Sequence, residues 1–203
     1  MAMRSSGNTE PVALHERAAD NLRFIRETME RSGSFTAVPG VGGIAMGAAA
    51  VVASVLAHQA RAESVQAWLT VWLICLAVAV ALGSTALVLK ARRFGSSLFR
   101  GAARKFVLNM LPALLAGALL TVALVRWGVS YSLPGVWMLL YGAGVAAGGA
   151  FSVRVVPVVG ALFMVAGGVT LFLPVTAGDF MMALTFGALH VGFGWLVARR
   201  HGG

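Results

Sequence analysis

The chain has 203 residues, of which 59% are hydrophobic and only 11% are charged. Soluble domains are roughly 45–50% apolar and about 25% charged, and a fold of this length keeps much of its surface in water. The composition therefore excludes an ordinary soluble protein and predicts an integral membrane protein, because a bilayer accommodates apolar surface.

The net charge of +9 comes from 16 Lys and Arg against 7 Asp and Glu. A basic balance is typical of nucleic-acid binding or of contact with anionic lipid. Here the basic residues flank apolar runs, so we expect lipid headgroups as partners and no nucleic acid. The single cysteine, Cys75, lies inside an apolar run, which rules out a disulfide framework or a thiolate metal site. We predict no cofactor and no metal.

Residues 1–37 are predicted to form a cytoplasmic N-terminal segment with an amphipathic helix at about 10–32. Five arginines and five acidic residues make the first 33 residues neutral overall, unlike membrane-surface helices, which are rich in basic residues. We therefore expect this helix to dock on its own membrane domain or on a protein partner. Its apolar residues recur at spacings of three and four and form one stripe: Leu14, Ala18, Leu22, Ile25 and Met29.

Six apolar runs follow. A helix of about 20 apolar residues crosses the roughly 30 Å hydrocarbon core of a bilayer. The sequence thus predicts an all-α, six-transmembrane-helix bundle over 38–198 and a short basic tail at 199–203. A re-entrant pair around Arg154 is the alternative to two separate spans there. The predicted spans are 38–57, 66–89, 106–125, 134–153, 155–174 and 179–198.

The positions of the basic residues predict the orientation. With the N-terminus inside, the inner segments hold 14 of the 16 basic residues, and the outer segments hold only Arg61 and Arg126. Loops on the cytoplasmic side carry an excess of Lys and Arg, so both termini are expected to be cytoplasmic. Arginine outnumbers lysine 14 to 2, as in GC-rich genomes. The predicted location is the inner membrane of a bacterium, as a multi-pass protein.

The inner loop at 90–105 carries six basic residues and no acid. Beside two spans, these side chains are expected to contact anionic headgroups, an attraction worth about 1 kcal/mol per residue near the surface. The predicted lipid-contacting residues are Lys90, Arg92, Arg93, Arg100, Arg104 and Lys105.

Three polar residues inside the spans are candidate contacts for a ligand or a path: Asn109, Tyr141 and His190. An ionisable group near the bilayer centre is a functional candidate by default. The structural alternative is a neutral His190 that is satisfied by one hydrogen bond from Tyr141 or a threonine. Acidic partners are missing inside the spans, which disfavours ion-coupled transport. Asp179 is expected at the outer boundary, in an exposed ion pair with Arg126.

Two GxxxG pairs, at Gly43/Gly47 and Gly144/Gly148, predict close helix–helix contact. They serve either packing within the chain or a homodimer. Residues 39–54 and 134–149 also share five identities, which leaves open an inverted repeat of three spans.

No catalytic motif is present, and three functions remain open. The favoured hypothesis is a non-enzymatic accessory or regulatory membrane subunit that docks through its N-terminal helix. The alternative is a small transporter or channel with a path near His190. A membrane enzyme that acts on lipid is the third hypothesis.

Overall fold

Our computed structural model describes residues 17–25, 40–93, 102–150 and 152–201. Within these ranges the chain is helical and has no β-strand. Three of its helical elements follow one another without a break, and we call this run, 178–201, the C-terminal helix. The elements are α1 (17–25), α2 (Gly40–Glu63), α3 (Val65–Arg93), α4 (Ala102–Arg126), α5 (Leu133–Gly149), α6 (Val155–Thr170), α7 (Gly178–Met182), a π-helical segment (Ala183–Leu189) and α8 (His190–His201).

Four helical stretches are long and apolar enough to cross a membrane: Gly40–Glu63, Val65–Lys90, Arg104–Arg126 and Val175–Arg199. The helix α6 is also apolar but has 16 residues, and α5 has 17. At 1.5 Å per residue, each of these two extends only about 25 Å. The chain therefore has the apolar helices typical of a membrane protein, but six full-length spans are not reached.

The predicted fourth and fifth spans are longer than the helices found there. The helix α5 ends at Gly149 instead of 153, and α6 ends at Thr170 instead of 174. Apolar residues continue past Thr170, but Pro174 disfavours a helical conformation for Leu173, the residue before it. Hydropathy alone overestimates the lengths of both helices, because it does not detect the turns in which they end.

Local sequence signals determine two of the helix ends. Ser64 separates α2 from α3, and its Oγ accepts a hydrogen bond from the Ala67 backbone N–H at 3.0 Å, as an N-cap does. After α4, Gly128 adopts a φ of +73°, the left-handed conformation that favours glycine. The N–H groups of Gly128 and Val129 donate back into the last turn, which makes a Schellman motif.

The helix α2 packs against the C-terminal helix with its backbone in close contact. A Cβ added to Gly40 would lie 2.6 Å from the carbonyl oxygen of Gly194, and one added to Gly47 would lie 2.7 Å from that of Gly187. Both pairs of glycines are seven residues apart, so they fall on one face of each helix. The two helices approach closely because these positions have no side chain.

The short helices α5 and α6 form a second pair of this kind. A Cβ on Gly142 would lie 2.5 Å from the Gly160 carbonyl oxygen, and one on Gly135 would lie 2.9 Å from that of Gly167. Close backbone approach increases the dispersion contacts that hold helices together in lipid. The two short helices therefore form a tightly packed hairpin.

Both predicted GxxxG pairs face neighbouring helices of the same chain. Gly43 approaches Gly194, whereas Gly144 approaches Met110 and Gly148 approaches Phe106, both on α4. This arrangement agrees with packing within the chain. Under an inverted repeat of three spans, α4 and the C-terminal helix are equivalent, so the two GxxxG pairs contact equivalent helices. The matched glycines of the repeat do not, because Gly40 contacts the C-terminal helix whereas its counterpart Gly135 contacts α6.

The helices α3 and α4 lie at the edge of the bundle. No residue of Arg104–Arg126 is buried, whereas α2 and the C-terminal helix have many buried residues. The uncovered face of α4 is apolar, and Leu119 on it is 73% exposed.

The chain divides into two compact units, Met1–Phe35 and Thr36–Gly203. The first is described only at 17–25, where all residues are exposed and helical. Arg23 and Asp20 lie 3.7 Å apart there, an exposed ion pair of little energetic weight. The remainder of the predicted helix at 10–32 lies outside the described residues.

Candidate functional site

A buried carboxylate joins α2 to the C-terminal helix. Asp179 is 3% exposed, and its two oxygens accept hydrogen bonds from Arg61 Nε at 2.9 Å and Nη2 at 3.1 Å. Trp68, at the start of α3, donates its Nε1–H to the same carboxylate at 2.7 Å. Three helices thus converge on one acidic group, with the two-pronged geometry in which arginine binds carboxylates most strongly.

Several other groups lie close to Asp179 and stabilise its position and charge. Asp179 is the second residue of α7, where the positive end of the helix dipole stabilises an acidic side chain. Ser54 on α2 donates its hydroxyl to the Asp179 backbone carbonyl at 2.8 Å. His58 is 70% exposed, and its Nδ1 lies 4.0 Å from Asp179 Oδ2.

Two tryptophans extend this cluster to α4 and α5. Trp68 stacks on Trp137 with ring centroids 5.5 Å apart, and the Arg61 guanidinium lies 4.4 Å from the Trp68 ring centroid. Trp137 donates its Nε1–H to the Thr121 hydroxyl on α4 at 2.8 Å. We call Asp179, Arg61, Trp68 and Trp137 the Asp179 cluster; with Thr121 it connects five helices of the bundle.

The sequence-based prediction for Asp179 was wrong. It was expected to be exposed and paired with Arg126; it is buried and paired with Arg61, and Arg126 is exposed. Both arginines occupy predicted outer segments, so from the sequence either could be the ion-pair partner of Asp179. No sequence signal separated the two arginines, because a tryptophan lies near each of them, Trp68 after Arg61 and Trp127 beside Arg126.

A second polar group lies in the middle of the bundle. His190 Nε2 and the Tyr141 hydroxyl are 2.8 Å apart, and His190 Nδ1 lies 3.4 Å from the Thr185 carbonyl oxygen. Phe163 and Phe186 pack around both rings with centroids 4.8–6.0 Å apart. The hydrogen bond between His190 and Tyr141 that the sequence suggested is therefore present, and we call these two residues the His–Tyr pair.

The backbone before His190 is unusual. The π-helical segment Ala183–Leu189 interrupts the C-terminal helix immediately before this residue. Wide turns of this type are rare and frequently occur at functional sites. Here the segment places the Thr185 carbonyl oxygen 3.4 Å from His190 Nδ1, and the Phe186 ring is nearly parallel to the imidazole, with an angle of 16° between the two planes.

A small cavity adjoins the His–Tyr pair. Its volume is about 40 Å³, and apart from the two polar residues its walls are apolar. The lining residues are Met46, Phe106, Tyr141, Val145, Val156, Val159, His190 and Phe193.

The third candidate residue, Asn109, is not part of this group. It lies exposed on α4, and its side-chain amide donates to the Lys105 carbonyl oxygen of its own helix at 2.7 Å. The structure thus brings Tyr141 and His190 together and leaves Asn109 on the outside of the bundle.

The predicted lipid-contacting residues differ in exposure. Arg92, Arg104 and Lys105 are exposed, whereas Lys90 is 5% exposed and has an interaction partner, as Lys105 does. Arg100 and the side chain of Arg93 lie outside the described residues.

Among the described residues, no group of three His, Cys, Asp or Glu side chains is arranged to hold a metal ion. The chain matches no family model, no curated protein and no solved structure.

Proposed function

We propose that this chain is a bacterial inner-membrane protein of six spans with both termini in the cytoplasm, acting as a non-enzymatic accessory or regulatory subunit. In this topology α5 and α6 are two short spans. Hydrophobic mismatch of a few ångströms is tolerated by local thinning of the bilayer, at a fraction of a kcal/mol per ångström.

The alternative topology folds α5 and α6 back to one side as a re-entrant hairpin. Reporter fusions distinguish the two, because alkaline phosphatase is active only outside and green fluorescent protein fluoresces mainly inside. Fusions after residue 128 are expected to be phosphatase-active, and fusions after residue 152 fluorescent. Phosphatase activity at both positions would show that the hairpin does not cross.

The uncovered apolar face of α4 is the observation that favours an accessory role. The described part of α4 contributes no buried residue from 104 to 126, although α4 is long enough to span the membrane. Asn109 lies on the outside of the same helix. Polar side chains and close apolar packing are what associate helices inside a bilayer, so α4 offers a lateral contact for a partner protein.

The test is co-purification from native membranes in mild detergent, with the bound proteins measured by mass spectrometry. We expect Leu119→Trp on α4 to reduce the yield of a stoichiometric partner. Val165→Trp on α6 is the matched control, because Val165 is similarly exposed at 65%. Deletion of residues 1–33 tests the N-terminal helix in the same assay. If neither Leu119→Trp nor the deletion changes the bound proteins, the accessory role is refuted.

A second candidate function, a small transporter or channel, is favoured by the His–Tyr pair with its π-helical backbone. The cavity beside it has a volume of about 40 Å³, which is room for no more than a few water molecules. Transport by this route needs a wider conformation of the same helices. Loss of cellular function in His190→Gln, at normal membrane levels and with unchanged partner binding, would favour transport over the accessory role.

A further inference from the structure

The hydrogen bonds of the His–Tyr pair determine which atom carries each proton. The Thr185 carbonyl 3.4 Å from His190 Nδ1 can only accept a hydrogen bond, so Nδ1 carries the hydrogen of the neutral ring. Nε2 is then a bare acceptor, and the Tyr141 hydroxyl 2.8 Å away must donate to it.

This assignment leaves the Tyr141 oxygen with unused acceptor capacity. A hydroxyl has one hydrogen and two lone pairs, and its hydrogen is directed at Nε2. Among the described residues, no other hydrogen bond to this oxygen is present. Tyr141 lines the cavity beside the pair, where every other wall residue except His190 is apolar. The polar end of the cavity therefore offers an acceptor and no free donor.

We propose that this cavity is a binding site for one small neutral hydrogen-bond donor, a hydroxyl compound of the size of water or methanol. The volume of about 40 Å³ is sufficient for such a molecule, since a polar cavity of about 10–15 Å³ already holds one water. Carboxylates, phosphates and other ligands that only accept hydrogen bonds are excluded, because the cavity would oppose lone pair to lone pair. The proposal does not depend on the accessory role or on any partner.

Filling the cavity tests the proposal, because a dry cavity and an occupied cavity predict changes in stability of opposite sign. An added methylene stabilises a dry apolar cavity, but it destabilises a cavity whose hydroxyl ligand it displaces, because the Tyr141 acceptor loses its partner. We expect Val145→Ile and Val159→Ile to lower the melting temperature by about 2–4 °C, in the range of one lost hydrogen bond. A rise in melting temperature for both variants would overturn the proposal.

The chain carries its own reporter for this measurement. Cys75 is the single cysteine and is buried, so a thiol-reactive dye labels the full chain in detergent only as it unfolds. Val165→Ile is the matched control, since Val165 is exposed and does not line the cavity. Strain from overpacking is separated by repeating Val145→Ile in a Tyr141→Phe/His190→Leu background, which has no side-chain acceptor. An equal loss in both backgrounds would contradict the proposal.

Two solvents of similar size distinguish the ligand sources and remain informative if the double variant does not fold. Methanol donates a hydrogen bond, and acetonitrile only accepts. An alcohol site is identified if methanol slows the unfolding of the native chain more than that of Val145→Ile, while acetonitrile slows the unfolding of neither. Protection by neither solvent, together with the loss in Val145→Ile, identifies water. Equal protection by acetonitrile would refute the donor assignment.

Discussion

Arg61 and Asp179 lie 118 residues apart in the chain and form a two-pronged ion pair that joins the first long apolar helix to the last. The carboxylate is buried, and the Arg61 side chain is 24% exposed. Removing one member of a buried pair leaves the other charge without compensation, which is much more destabilising than removing both. This asymmetry makes the ion pair testable.

We expect Asp179→Ala to lower the free energy of unfolding by about 3 kcal/mol, at the low end for buried pairs because Arg61 is partly exposed. The double variant Arg61→Met/Asp179→Leu should recover part of that loss, since no unpaired charge remains, although the buried Trp68 N–H still lacks its acceptor. Thermal unfolding in detergent, followed by labelling of Cys75, measures both. A double variant no more stable than Asp179→Ala would mean that the loss arises from packing and from the Trp68 hydrogen bond, and not from the charge of Arg61.

Trp68 and Trp72 form a matched pair one helical turn apart, and both are buried. Trp68 donates to Asp179, whereas the Trp72 Nε1–H has no acceptor among the described residues. Both substitutions to phenylalanine remove the same buried volume, so we expect Trp68→Phe to cost about 1.5–3 kcal/mol more than Trp72→Phe, the difference being one hydrogen bond to a charged group. Equal effects of the two substitutions on the unfolding transition would contradict a role for the Trp68 N–H.

The contact between α5 and α6 predicts a contrast between two glycines. A Cβ on Gly142 would meet the Gly160 carbonyl oxygen, whereas one on Gly168 would meet nothing within 4 Å. Gly142→Ala should separate the two helices and lower the melting temperature. Gly168→Ala should leave it unchanged or raise it slightly, because alanine favours a helix by about 0.5–1 kcal/mol over glycine. A stabilised Gly142→Ala would show that the close backbone approach is not required.

The turn after α4 depends on Gly128, whose φ is +73°. The left-handed conformation costs other residues about 1–2 kcal/mol, so Gly128→Ala should destabilise the chain by that amount. Gly128→Asn should lose less, because asparagine tolerates this conformation better. Equal stability of the alanine and asparagine variants would argue against the Schellman motif as the reason for glycine at this position.

The sequence predicted helices well where the evidence was local. Apolar runs located all four long helices, with ends that differ from the observed ones by up to six residues, as at 57 against Glu63. A run of 20 apolar residues has few alternatives to a membrane helix. The prediction was less accurate at Thr170, where α6 ends in a turn inside an apolar stretch. The same hydropathy pattern is compatible with a longer helix, and Pro174 is the one local signal against it.

The two polar groups were predictable to different degrees. His190 and Tyr141 could be matched from the sequence because few polar side chains occupy the middle of the spans. Asp179 had two arginines at a similar predicted depth, and the choice between Arg61 and Arg126 depends on which helix packs beside α7.

By itself, the sequence determined the class of protein, the long helices and the few polar groups at depth, because hydropathy and residue spacing act along the chain. The tertiary structure decided that Arg61 and not Arg126 binds Asp179, and that the glycines face helices of the same chain. It also decided that the backbone widens into a π-helix before His190. The ion pair and the glycine contacts depend on which helices are neighbours, and hydropathy along the chain does not register this. Arg61 and Asp179, for example, are 118 residues apart.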